Sequence, residues 1–471
     1  MPSKPNLLND PLKNSISSHS SFLKAQGKRI LSELNDLKRT IEACALELQW
    51  EKNEVEKIVS GAAHPEQVSH FIEAMVAYYP INPSSLVLAQ DDCTLGIKVM
   101  RASSSLESAR IFARRNSEGI QTPYYEYRDT AMSRLSAFRP EWIRELRIVK
   151  DNNPLNPDVI YNNGHFMHQV TFFVGPINFY YDIDGKKYCL EMNTGDSNYI
   201  TPYRPHSFCS RNENEETYII AVTFGGEVKR ALEELYHLGS ERAHEFKINM
   251  QVMHKGIQDL LDYHLKNELL NRSLLQQKLL DSGKDTHVLN RNEILSIQDI
   301  HTIANILNIE PNELMLSSYC EDEEIIVNYK KNIHAYDYPS ASQAHYKIYS
   351  GVRCRRLPLL KTFEIKIVTS QIFAPDIKNS LHTYIYNHTK TSIILCWIWQ
   401  NNTYEEIIEA GDSIYIQPFV TYGFRTQSLN NNASLFVVGI PGAINTITQR
   451  ELSSFTSFKR VMEESMCWFT A

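Results

Sequence analysis

The stretch VIYNNGHFMHQVTFFVG, Val159 to Gly175, sets two imidazoles and an amide close together: His165, His168 and Gln169. Read as a strand, it puts residues 165, 167 and 169 on one face and His168 on the other. Imidazole is a common metal ligand, so His165 and Gln169 are candidate ligands on one surface. The glutamine is odd, because a carboxylate is the ordinary oxygen partner at such a place. Taken alone, a strand histidine is more often a hydrogen-bonded core residue, and an inward glutamine more often bonds a neighbour. A second histidine from elsewhere is needed to shift that balance.

The surrounding elements read as short strands with turn signals every eight to twelve residues. QVTFFVG, INFYYDIDG, KKYCLEM, SNYITPY and ETYIIAVTF form one set, and FEIKIVTS, HTYIYN, SIILCWIWQ, SIYIQPF and ASLFVVGI a second. Such spacing predicts a sandwich or barrel, and 25 tyrosines and 19 phenylalanines suit it. Two stretches repeat: GDSNYITPYRPHSF (Gly195 to Phe208) and GDSIYIQPFVTYGF (Gly411 to Phe424), 216 residues apart. INPSSLVL (Ile81 to Leu88) and IEPNELML (Ile309 to Leu316) repeat in the same order, 228 apart. The chain therefore reads as a duplicated helical-then-β unit. Helical spacing appears at Ile30, Leu34, Leu37, Ile41, Leu48, Val55 and Ile58, and again in HPEQVSHFIEAMVAYYPINPSSL, a helix expected to stop at Pro83.

Bulk properties narrow the function. At 471 residues the chain exceeds one ordinary core. A formal charge of −7 argues against a general nucleic-acid binder. No run approaches the ~18 apolar residues of a membrane span, and the first residues lack the apolar core of a signal peptide. Eight cysteines without C-x-x-C spacing read as free thiols in a reducing, cytoplasmic compartment.

Short helices ending in Ile-x-Pro-x-x-Leu resemble the helix-turn-helix domain of repressors, whose usual role is DNA binding. The would-be recognition segment KNEVEKIVSG has as many carboxylates as lysines, so scaffolding, or donation of a residue to a neighbouring site, is expected instead. Gly195, Pro202 and His206 resemble the second motif of the cupin barrels, and GHFMHQ occupies the place of the first. The resemblance brings His206 to the face of His165 and Gln169, three ligands on one side of an ion with open positions opposite. Imidazole suits Fe(II), Ni, Cu or Zn, so spacing alone leaves the metal open. In the second copy Tyr422 replaces His206 and His382 stands alone, so that barrel is expected to hold no metal and to cap the first or form an interface. The expected fold is α+β: a flexible N-terminus (1–25), helical domain 1 (26–95), a catalytic cupin, or double-stranded β-helix, barrel (96–245), helical domain 2 (246–325) and a degenerate barrel (326–471).

Together NNGHxxxQ and GDSxYixPyxPHSF resemble the non-haem iron enzymes that act on 2-hydroxyalkylphosphonates, over nearly the whole chain beyond the first ~25 residues. In its epoxide-forming members the carboxylate ligand is a glutamate four residues after the first histidine, held here by Gln169. In its dioxygenases the glutamate comes six residues before the last histidine, held here by Ile200. The pattern His165, Gln169, Ile200, His206 is similar to the members with a two-histidine, one-glutamine site. The resemblance implies Fe(II) as cofactor and O2-dependent cleavage of the C–C bond of 2-hydroxyethylphosphonate to methylphosphonate and a one-carbon product, without 2-oxoglutarate. The alternatives are the dioxygenase outcome, hydroxymethylphosphonate and formate, and a sensing cupin of a transcriptional regulator. The resemblance further implies a lysine from the helical domain, Lys38 with Lys28 as fallback, and Asn162 three residues before the first histidine. Tyr125 and Tyr127 on an earlier strand, with Tyr124 facing the other way, and an upstream arginine, Arg115, complete the expected phosphonate site. The partners implied are a small phosphonate and O2, with no nucleic acid or membrane and with a homo-oligomeric assembly.

Overall fold

Apolar positions at a period of about 3.6 give way to alternation along the chain, and the computed structural model follows that change. It describes residues 11–286, 289, 295–316, 324–371, 374–427 and 433–462. Two compact units result: Met1–Lys98, Ser133–Ser136 and Gly442–Ala471 in one, Val99–Met132 and Ala137–Pro441 in the other.

The first unit is helical. Pro11–Asp36, Ile41–Leu48, Lys52–Ser60, Pro65–Tyr78 and Pro83–Leu86 share a core that includes Ile30, Leu34, Cys44, Val55, Ile58, Phe71 and Met75. Residues 11–25, expected within a flexible N-terminus, instead begin the first helix, where Leu23 and Gln26 are buried; residues 1–10 lie outside the described residues. The helix at residue 65 ends at Tyr78 rather than at Pro83, which opens the next short helix. Proline suits that first position because its missing N–H would have no partner there. Lys38 sits in the turn between the first two helices at φ 58, and Thr40 caps the second by accepting the Ala43 N–H. Gly61 is obligatory: at φ 75, a Cβ would lie 2.6 Å from the Lys24 backbone.

The second unit is a mixture of antiparallel sheets and helices. In its first β-region a sheet runs in the order Ile325–Asn328, Ser197–Ile200, His168–Val174, Tyr218–Phe224, Phe138–Glu145, Gln121–Asp129, Arg110–Arg115. A smaller sheet of Lys186–Met192, Ile177–Ile183 and His206–Ser210 accompanies it, with Phe173, Phe179, Phe208, Ile143 and Ile219 in one shared core. The second β-region orders Ser413–Ile416, His382–Asn387, Ala433–Ile440, Lys361–Ile367, Tyr346–Ser350 and Tyr336–Tyr338 alike. Its smaller sheet is Asn402–Ile408, Ile393–Trp399 and Thr421–Thr426. Phe172 and Phe436, on the outer faces of the two large sheets, stack at 4.4 Å.

Helices Met253–Asn267, Arg272–Asp281 and Ile297–Leu307 pack around Leu261, Leu275, Ile303 and Leu314. The chain leaving them does not go straight to the second β-region. Its strand Ile325–Asn328 pairs with Ser197–Ile200 of the first, and the Lys330 N–H donates to Asp196 at 2.8 Å. Reciprocally, the Ala102 N–H donates to Asp412 of the second region at 2.8 Å. Among the described residues, six cysteines are free, and no helix is long and apolar enough to cross a membrane; Cys320 and Cys467 lie outside them.

Candidate metal centre

His165 is not on the strand, contrary to the alternation argument; it lies in the loop entering His168–Val174. Gly164, at φ 71, lets that loop pass the Tyr203 backbone, which a Cβ would meet at 2.5 Å, and the Tyr203 N–H donates to the His165 carbonyl at 2.8 Å. The loop therefore returns the His165 ring to the inward face that Gln169 occupies. His168 faces outward as expected, bonded through Nδ1 to the Tyr199 hydroxyl at 2.8 Å and stacked on Phe224. Burial holds its pKa down to about 4.

The hydrogen bonds fix which atoms face each other. A backbone carbonyl can only accept, so the 2.9 Å contact from His165 Nδ1 to the Met167 carbonyl puts the proton on Nδ1 and leaves a lone pair on Nε2. Gln169 Nε2 donates to Thr171 Oγ1 at 2.9 Å, which turns Oε1 toward His165 Nε2 at 3.1 Å. Two acceptors thus face one another with no hydrogen to share, an arrangement that a cation relieves. His206 Nδ1 likewise donates to the Arg204 carbonyl at 2.8 Å, and its ring lies edge-on to His165 with centroids 5.3 Å apart. Burial, with His165 and Arg114 nearby, pushes the His206 pKa down to about 4, so its Nε2 is unprotonated at neutral pH. Two imidazoles and an amide oxygen suit a first-row divalent ion with open positions.

Ile200 lies directly across the ladder from Gln169 and is fully buried. The two family positions for a carboxylate ligand are thus cross-strand neighbours, and neither carries one. Asn162 completes the wall: its Oδ1 accepts the N–H groups of Gly164 and His206, each at 2.9 Å, and its Nδ2 points at His206 Nε2 at 3.0 Å.

The remaining candidates separate. Tyr125 is buried and its hydroxyl is engaged by the Phe208 N–H at 2.8 Å and by Ser207 at 3.2 Å. Tyr124 bonds Ser207 and Cys209. Tyr127 packs against the same core, its pKa pushed up to about 12 by burial and the Glu141 carboxylate. Arg115 is exposed, whereas Arg114 lays its guanidinium over Tyr124 and Tyr125 at 4.8 and 5.1 Å and donates to the Ile160 carbonyl. The ladder of this strand with Gln121–Asp129 shifts register between Phe112 and Ala113. Lys38 and Lys28 are exposed residues of the helical unit, and Lys38 Nζ donates to the Asp36 carbonyl at 2.9 Å. Glu141 escaped the sequence reading; burial raises its pKa, with His165 among the charges opposing the rise.

The second β-region has the same backbone frame with other side chains. The Phe419 N–H donates to the Asn379 carbonyl at 2.8 Å as Tyr203 does to His165, and His382 bonds Tyr415 at 2.7 Å as His168 bonds Tyr199. His382 therefore corresponds to the outward His168. Asn379, Thr383 and Tyr422 stand where His165, Gln169 and His206 do, and the Tyr422 hydroxyl hydrogen-bonds both of the others.

No family model matches the chain. It is 35% identical over 456 residues to "Methylphosphonate synthase" of Nitrosopumilus maritimus (strain SCM1), covering 95% of this chain and 96% of that one. A structure of Streptomyces albus HEPD with 2-hydroxyethylphosphonate and Fe(II) bound is 27% identical, with a TM-score of 0.86 over 96% of this chain and all (100%) of that chain. PhpD, in a structure with cadmium atoms, is 14% identical with a TM-score of 0.69 over 93% of this chain and 99% of that one, a likeness of fold.

Proposed function

The chain belongs to the family of non-haem iron oxygenases that act on phosphonates, and on that premise we propose that it converts 2-hydroxyethylphosphonate and O2 to methylphosphonate. With O2 as the sole oxidant, atom balance has the departing carbon leave as carbon dioxide with one water. The observation that carries this reading is Gln169 facing His165 across from Ile200, a candidate ligand set with no carboxylate. Fe(II) held by His165, Gln169 and His206 would supply O2 activation and polarise the substrate hydroxyl; with three neutral ligands it keeps its full charge. Asn162 offers an N–H to a phosphonate oxygen. Arg114, in place of Arg115, contributes a guanidinium on the tyrosine side. Lys38, from its own chain or from a second copy in a homo-oligomer, is the candidate cation over the phosphonate. Tyr127 walls the substrate, while Tyr125 holds the Phe208 backbone.

The repeated frame supports two cupin-type barrels from a duplication, one kept for chemistry and one whose polar triad is closed on itself. The helical parts then serve as supports in place of DNA readers. Incubation of Fe(II)-loaded protein with 2-hydroxyethylphosphonate under O2, read by 31P NMR, tests the activity. Methylphosphonate is expected; hydroxymethylphosphonate with formate would establish the dioxygenase outcome instead.

A further inference from the structure

Three inward carboxyls stand on neighbouring strands of the first β-region, and none of the roles above uses them. Asp129 and Glu141 are direct cross-strand neighbours, and Glu145 lies four residues further along the strand of Glu141. Ile143, between the last two, belongs to the shared core, so alternation turns Glu141 and Glu145 to the same inward face. Ala221 and Val437 hold equivalent places in the repeat, and their partners on the next strand are Glu141 and Phe363. Glu145 is matched in the same way by Ile367. A buried carboxyl costs stability unless something offsets it, so a pair confined to the region with the candidate metal centre points to a task there.

The three environments differ. Asp129 is tied to Arg110 at 2.9 Å. Glu145 is buried, and neither of its oxygens has a hydrogen-bond partner among the described residues. Burial holds its carboxyl well above the usual range, so it is a neutral acid. Glu141 is half-buried, and it faces Arg110, Asp129, His165 and Arg139, with Tyr127 on the adjoining strand. Burial raises its pKa while the two guanidiniums and His165 oppose the rise, which makes it a stronger base than a solvated carboxylate.

We propose that Glu141 is the base that takes the proton of the substrate hydroxyl. The inference rests on the function proposed above. A hydroxyl polarised by a divalent ion with three neutral ligands is acidified, and its proton needs an acceptor. The two imidazoles give their free lone pairs to the metal, while Asn162 and Arg114 offer donors. Glu141 shares a row with Thr171, the inward residue that follows Gln169, and only Ala221 stands between them on that row. Two strand spacings put those Cα atoms roughly 10 Å apart. The Glu141 side chain enters that gap from one wall, and a substrate held at the metal enters it from the other. The substrate O–H bond breaks, a new O–H bond forms on a Glu141 oxygen, and the electron pair stays on the substrate as an alkoxide. No oxidant enters the step.

The test is infrared difference spectroscopy of the full-length, Fe(II)-loaded protein, kept anaerobic, with and without 2-hydroxyethylphosphonate. Binding is expected to produce the carbonyl stretch of a newly protonated carboxyl. Glu141→Gln should lack that band, and Glu145→Gln should keep it because that acid is already neutral. In turnover Glu141→Gln should lose about 100- to 10,000-fold in kcat, the usual worth of a general base, with its Fe(II) content unchanged. Its kcat/KM should also lose the acid limb, the fall in rate as the free enzyme's base takes up a proton. Glu141→Asp should restore that limb with part of the rate, whereas a merely structural role would leave the limb in place in every variant. A wild-type protein that turns over the substrate without showing the band, or a band that survives in Glu141→Gln, would refute Glu141 as the base and leave the metal site standing. Should Glu141→Gln fail to fold, a wild-type band that does not move in Glu141→Asp overturns the proposal. A wild-type protein that holds no Fe(II), or does not turn over 2-hydroxyethylphosphonate, would refute the underlying reading itself.

Discussion

The two β-regions show how little of a site resides in its backbone. Tyr203 to His165 and Phe419 to Asn379 are the same hydrogen bond at the same length, and both loops pass the same left-handed residue, Tyr203 or Phe419, at φ 64. Tyr125 and Tyr346 each accept a strand N–H, from Phe208 and Phe424, at 2.8 Å. Yet one frame presents acceptors to one another, and the other closes with a donor, the Tyr422 hydroxyl, between two polar partners. The helical parts repeat the contrast. Lys38 and Leu269 occupy the same left-handed turn, at φ 58 and 55, followed by matching hydrogen bonds from Arg39 to Leu34 and from Leu270 to Leu265. Only the first carries a cation. The second half lacks the histidines and the turn lysine at these positions while keeping the turns that build the fold.

Paired substitutions sharpen this contrast. The largest effect is expected from His206→Ala, which should lower Fe(II) affinity by more than the ~100-fold attributed to losing an outer partner, measured by metal analysis after dialysis. Its counterpart Tyr422→Phe should leave iron content and turnover unchanged. Gln169→Leu should abolish turnover. Gln169→Glu should retain or tighten iron while changing rate or product in 31P NMR, because it restores the charge of an ordinary site; an unchanged product spectrum and rate would remove the amide from the argument. Lys38→Ala should lower kcat/KM about 10- to 100-fold, mainly through KM, as expected for removal of a charged hydrogen-bond donor, and Leu269→Ala should do nothing.

Smaller effects concern stability. Tyr422→Phe removes the hydroxyl between Thr383 and Asn379, each of which keeps a bond to the Leu381 backbone, and should cost about 1 kcal/mol in denaturant unfolding. In the metal-free protein, burial holds His168, His206 and His388 each down to about 4. The unfolded imidazole takes its proton near 6.5, so between that pH and about 4 the unfolded state binds more protons. Stability should therefore be full above about 6.5 and decline as pH falls through this window. A melting temperature flat across it would contradict the buried neutral imidazoles.

Much of this was legible in the sequence. The strands HTYIYN and ASLFVVGI stand where aromatic and β-branched runs between turn signals place them, His382–Asn387 and Ala433–Ile440. His165 lies against both Gln169, through Nε2 at 3.1 Å, and His206, ring to ring at 5.3 Å. His165 reached the site by another route, since a loop anchored at Tyr203, a long-range contact invisible to local periodicity, carries it inward. It is the guanidinium of Arg114 that lies over Tyr124 and Tyr125, a cross-strand contact that no short window of sequence reveals.

The strand Ile325–Asn328 has a further consequence for how such a protein can evolve. It belongs to the second half of the chain but hydrogen-bonds Ser197–Ile200, the strand that faces Gln169, while Ala102 of the first half is tied to Asp412 of the second. A gene shortened after the first half would leave Ser197–Ile200 as a bare edge, open to pairing with other chains. The second half therefore completes the sheet of the first and cannot be removed without exposing that edge.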